Sequence, residues 1–205
     1  MKRIRIIPQT AILVLLSLIV ISCGDTSFSK VGIEFLDSAF GYSNYTAKNL
    51  LSNNISVDGE TDKLSSSEKK DAYMEVIKEL KDELPGIVSD FKYRYGFTYD
   101  TWCGKGATAF YSYGSNKEYL IVLDFDQDYS DEWKIDDIDI HEIQYLNSEY
   151  KYEIERLAKC VEEKEKENIK SRKQSVKQME SLINSIKDLM SESQLNEFKE
   201  IKSGK

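Results

Sequence analysis

Between Ser115 and Ser203 the chain contains neither glycine nor proline. The two residues that most readily punctuate backbone structure are missing, so any change from strand to helix has to come from the side-chain pattern alone. The pattern does change. Up to Ile143 it alternates, and after Leu146 it recurs at helical spacing, with Tyr150, Ile154, Leu157 and Val161 four, three and four residues apart. A second stripe, Ile169, Val176, Met179, Ile183, Ile186 and Met190, follows the spacing of a coiled-coil seam. Between the stripes, Glu163 to Ser175 is polar except for Ile169, and Glu162 and Lys166 can pair across one turn. An unbroken helix from Glu149 to Met190 would be about 63 Å long at 1.5 Å per residue, longer than a small domain. Its far half must protrude, fold back or find a partner chain. A last helix around Leu195, Phe198 and Ile201 can cap that end. Two outcomes stay open: a hairpin that returns to its own domain, or an arm that self-associates or docks onto another protein.

Upstream, Phe35 to Leu51 reads as a helix and Asn53 to Lys63, with Gly59, as a loop. Ser65-Ser66-Ser67-Glu68 fits a capping box, and Tyr73, Val76, Ile77, Leu80 and Leu84 then share one helical face. Pro85 interrupts that ladder, and Ile87, Val88 and Phe91 suggest a second helix with proline in its first turn. Tyr93, Tyr95, Phe97 and Tyr99 alternate with polar or small residues, which predicts a strand with one aromatic face. Ala107 to Tyr113, Tyr119 to Phe125 and Glu132 to Ile143 follow as strands, separated by Gly114-Ser115-Asn116 and by an aspartate-rich connection. Short links imply an antiparallel meander. Tyr119, Ile121, Leu123 and Phe125 fill one face and Leu120 and Val122 much of the other, so that strand should be central. The parity shift between Trp133/Ile135 and Ile138/Ile140 predicts a bulge near Asp136 and Asp137. The expected class is α+β: N-terminal helices packed on a four-stranded antiparallel meander, followed by a long C-terminal helix or helical hairpin.

The first residues carry an address. Lys2, Arg3 and Arg5 precede an eleven-residue apolar run, Ala11 to Ile21, too short for a stable spanning helix. The run ends in Val20-Ile21-Ser22-Cys23, which resembles the bacterial lipobox, in which aliphatic and small residues precede a cysteine that becomes lipidated. The resemblance implies cleavage before Cys23 and attachment of a diacylglyceryl and an amide-linked acyl chain there. Each buried methylene contributes about 0.8 kcal/mol, so such an anchor, palmitate or its like, is effectively permanent. The expected organisation is a signal peptide over 1–22, a lipidated cysteine and tether over 23–34, an α+β domain over 35–146 and a helical region over 147–205. The expected location is a bacterial membrane, facing the periplasm or the cell surface.

Removing residues 1–22 takes away three positive charges and no negative one, which moves the net charge from -8 to -11. Such a surface lacks the cations that nucleic acid binding needs and is repelled by anionic head groups, leaving the lipid as the membrane contact. Cys103 and Cys160 then remain, either as a disulfide closing a long loop, worth about 4 kcal/mol in the chain-entropy account, or as two buried thiols. His141, the single histidine, argues against a zinc hydrolase or a histidine-based triad and suits a polar strand end. Asp124, Asp126 and Asp128 alternate at a strand end as a weak calcium candidate, but an EF-hand loop counted from Asp124 finds Tyr129 and Ile135 where glycine and glutamate belong. No other metal and no cofactor is expected. Trp102-Cys103-Gly104-Lys105-Gly106 lacks the strand-to-helix context of a phosphate loop.

The N-terminal helices, the meander and the strand Trp133-Lys134-Ile135-Asp136-Asp137-Ile138 resemble small exported domains of the cystatin-like or NTF2-like kind over residues 35–145. That resemblance implies a non-catalytic binder of ligands or partners. The leading expectation is a lipid-anchored, non-enzymatic envelope protein presenting its domain and helical arm for protein-protein contact through residues 147–205. Its alternative is a small-ligand or glycan binder using a helix-sheet cleft lined by tyrosines. A hydrolase working through a pair among Asp124, Asp126 and Asp136 is a third.

Overall fold

The computed structural model describes residues 29–41, 44–55, 64–84, 90–100, 105–127, 132–163 and 166–204. The alternating segment forms one antiparallel sheet in sequential order: β1 (Lys92–Asp100), β2 (Lys105–Gly114), β3 (Lys117–Gln127) and β4 (Trp133–Glu142). Between β2 and β3 the chain turns on Ser115 and Asn116, whose φ angles of 51° and 62° are both left-handed, and Gly114 pairs with Lys117. A two-residue turn of that kind matches the twist of antiparallel strands. As expected, β3 is interior and buried on both sides. Ile121, Leu123 and Phe125 join one core while Leu120 and Val122 join a second.

Two register shifts decide which residues reach which core. In β4, Ile135 pairs with Phe125 and Asp137 with Asp124, which leaves Asp136 as the extra residue of the expected bulge. In β1 a second shift falls between Tyr93 and Tyr95. Tyr93 packs in the first core, edge-on to Phe110 at 6.0 Å, whereas Tyr95 lies against the second. The single aromatic face read from the sequence is therefore divided between the two sides of the sheet. The side chains of Phe97 and Tyr99 lie outside the described residues.

Three helices cover the first face: α1 over residues 29–40, α2 (Asn44–Leu50) and α3 (Ser66–Glu83). The expected helix over 35–51 is divided at Gly41, where a side chain would collide with the Asp37 carbonyl. α1 approaches the sheet closely because Gly32 has no Cβ; one there would lie 2.5 Å from the Phe110 ring and 3.2 Å from Leu123. After α2, Ser52 N donates to Ile135 O at 2.7 Å and covers part of the β4 edge. Ser65 caps α3 in the predicted box with Glu68. Tyr73 and Ile77 are buried, but Val76 is 40% exposed, so the apolar face is narrower than its spacing suggests. The expected helix start at 85–89 lies outside the described residues, and Phe91 is buried immediately before β1.

A short 3-10 turn (Ile143–Tyr145) leads from β4 into α4 (Leu146–Glu162), α5 (Lys166–Ser185) and α6 (Glu192–Ser203). The unbroken helix does not form. The chain turns after Glu162 and folds back, so that Met179, Ile183, Ile186 and Met190 bury against Leu120, Val122 and Ala109 on the second face. Burying such side chains is worth about 1.5–3 kcal/mol each. The few helical hydrogen bonds lost at the turn are worth about 1 kcal/mol apiece, so burial wins. Arg172 of α5 reaches Glu153 of α4 at 3.3 Å. α6 starts at a second capping box, Ser191 with Gln194, ends on left-handed Gly204, and sets Phe198 5.3 Å from Tyr150. Among the described residues no helix is long and apolar enough to cross a membrane.

Candidate functional site

On the second face, apolar Leu120 and Val122 are followed by Asp124, at the position where the alternation would bring another core residue. Beside it stand Asp139 and His141, because the extra residue at Asp136 leaves Ile138 and Ile140 facing the first core. The hairpin spans this polar patch without filling it and leaves a cleft of about 210 Å³. Ala107, Val122, Asp124, Asp139 and His141 form the sheet wall. Glu153 of α4 and Ser175, Gln178, Met179 and Leu182 of α5 form the other. A recess between His141, Glu149, Tyr152 and Met179 continues it outward.

The electrostatics follow from that enclosure. Burial pushes the Asp124 carboxyl up to about 7, with Asp139, Asp137 and Asp136 adding to the effect and Lys105 opposing it. Asp139 is raised for the same two reasons, burial first and Asp137 second, with His141 pulling the other way. Asp136 is also raised by burial, against Lys105. Its Oδ1 has no hydrogen-bond partner among the described residues. Asp137 turns towards the first layer, where the Tyr73 hydroxyl donates to its Oδ1 at 3.0 Å. His141 Nδ1 lies 2.7 Å from Glu149 Oε2 and links β4 to the first turn of α4. Glu153 is compensated by Arg172 and, at 3.7 Å, by Arg156. Asp124 and Asp139 form no ion pair among the described residues.

Of the residues singled out in the sequence, Cys23, Cys103 and Asp128 lie outside the described residues. Cys160 is a half-buried free thiol on α4. Asp124 faces the cleft, whereas Asp126 accepts from Asn54 Nδ2 at 3.3 Å. Among the described residues no three His, Cys, Asp or Glu side chains converge as metal ligands. The helix-sheet cleft exists, but among the described residues carboxylates, an imidazole, Ser175, Gln178 and the apolar Ala107, Val122, Met179 and Leu182 line it, and of the expected tyrosines only Tyr152 appears, in the outer recess. Sequence reasoning missed Asp139, Glu149 and Glu153. The alternation Asp137, Asp139, His141 was a visible signal for the first of these; the two glutamates join only once α4 is laid across the strand.

No protein-family model and no curated protein matches the chain. Among solved structures, one from Shewanella frigidimarina described as a "putative ketosteroid isomerase" aligns with a TM-score of 0.40 and 13% identity, covering 57% of this chain and 96% of that one.

Proposed function

We propose that the chain is an exported, lipid-anchored protein of the bacterial cell envelope whose α+β domain is a non-enzymatic binding module, with the cleft between sheet and hairpin as its ligand site. The address rests on the lipobox-like end at Cys23. The binding reading rests on one observation: among the described residues Asp124 and Asp139 stand without ion-pair partners in a cleft whose walls carry apolar Ala107, Val122, Met179 and Leu182 beside polar His141, Glu153, Ser175 and Gln178. Half-burying the uncompensated Asp124 carboxylate in an otherwise apolar strand costs free energy, and a purely structural role would place an apolar residue there. Those walls suit a small molecule with a cationic head and a short apolar body. The cavity is below the roughly 300–1,000 Å³ typical of drug-sized ligands, which fits that size.

The hairpin buries its apolar stripe on its own sheet, so contact with another protein would fall to the outer surface of residues 147–205 instead. A second reading, acid-base chemistry by an extracytoplasmic hydrolase, draws on Asp124 titrating close to neutrality. Cells fed radioactive palmitate should label a mature form that begins at Cys23, and Cys23→Ser should abolish the label. An unlabelled protein or a different mature end would overturn the address. Native mass spectra of the detergent-released protein should show a small adduct that Asp124→Asn loses. An adduct retained in that variant would remove the cleft as its site.

A further inference from the structure

The outer side of α5 runs against the charge of the rest of the chain. From Asn168 to Met179 the sequence carries Lys170, Arg172, Lys173 and Lys177 and no carboxylate, in a protein of net charge -8. Arg172 is engaged by Glu153. The three lysines are exposed, and none of them forms an ion pair among the described residues. Other lysines sit beside carboxylates, as Lys48 does with Asp71, Lys117 with Glu142 and Lys202 with Glu180. Spacings of three and four residues stack Lys170, Lys173 and Lys177 on one side of the helix, about 10 Å from end to end. Gln174 and Asn184 are exposed on the same side. Like charges so spaced destabilise a helix. The row is nonetheless fixed in direction, because the opposite side of α5 places Met179, Ile183 and Ile186 in the second core.

What the row fits follows from what it lacks. It has no apolar or aromatic anchor, and lysine is depleted where folded proteins dock, so a protein partner is disfavoured. A linear polyanion is favoured, since it gains from counterion release along its length and needs no shaped pocket. The amides of Gln174 and Asn184 add donors and acceptors for hydroxyl groups. The chain's own bilayer is disfavoured as well. An anchor at Cys23 leads within six residues to α1 on the first face, whereas the row points outward from the second. That step rests on the address proposed above; the row does not.

We infer that the outward face of α5 is a binding surface for a linear acidic polysaccharide, with Lys170, Lys173 and Lys177 meeting its acid groups and Gln174 its hydroxyls.

Calorimetric titration of the purified full-length protein in neutral detergent with an alginate octasaccharide tests it. With three lysines engaged, affinity should fall about twentyfold between about 50 and about 200 mM salt. The variant Lys170→Gln/Lys173→Gln/Lys177→Gln should lose about tenfold or more at the lower salt, and replacement of the same three by arginine should restore binding. Lys78→Gln/Lys92→Gln/Lys199→Gln removes the same charge from other exposed sites and should bind as the unaltered protein does. No binding, or equal loss in the two glutamine triples, would overturn the inference. So would tighter binding to inorganic polyphosphate, or displacement of the octasaccharide by phosphatidylglycerol added to the micelles, either of which would give the row to a phosphate ligand. The titration reads the same whether or not Cys23 carries lipid, so failure of the address and failure of the row are told apart.

Discussion

Ile183→Asp should destabilise the whole protein by about 4 kcal/mol or more. Ile183 is fully buried on α5, in the second core that contains Leu120 and Val122 of the central strand. The substitution removes the apolar side chain from that core and leaves a carboxylate with neither water nor a partner. Were α5 a free arm, the same change on a solvated helix would cost only tenths of a kcal/mol. Urea unfolding followed by circular dichroism separates the two cases. A lower midpoint for a single transition is expected, and an unchanged midpoint would contradict the shared core.

Asp124→Asn should act in the opposite sense and stabilise the protein at neutral and alkaline pH. The folded-state value of about 7 lies above the model-peptide value of 3.8, so the native state binds this proton more tightly than the unfolded chain. Its contribution is therefore most favourable below about pH 4, declines as pH rises to about 7, and is level beyond. Full linkage for a shift of that size is about 4 kcal/mol. Water entering the half-open cleft relieves part of it, so a gain of about 2–3 kcal/mol at pH 8 is expected. Thermal melts of both proteins at about pH 5 and about pH 8 should show the advantage of the variant shrinking towards acid. An advantage that grew towards acid pH would have the wrong sign for this account.

What could be read from the sequence was what is encoded locally. Ser65 and Glu68 define a helix start within four residues, and the alternation around Leu120–Phe125 marks an interior strand whatever surrounds it. The bulge at Asp136 was legible because the apolar residues on either side of it change parity. The bulge between Tyr93 and Tyr95 was not, since the flanking tyrosines look alike whichever core each enters. The second stripe showed that α5 needed cover without saying what would supply it; that answer depends on Ala109, Leu120 and Val122 leaving an apolar face free, a property of the assembled sheet. The site divides in the same way. Asp124 was legible only as one of the alternating aspartates at a strand end, while its relation to Glu149 and Glu153 exists only after the chain has folded back.

The most direct test of the cleft as a binding site is a titration of isotopically labelled protein with n-butylammonium, followed by amide chemical shifts. Saturable shifts should gather at Asp124, Asp139, His141, Met179 and Leu182, vanish in the Asp124→Asn/Asp139→Asn double variant, and be absent with n-butyrate, which has a similar body and the opposite charge. Shifts scattered over the acidic surface without saturation, or equal responses to both probes, would contradict it.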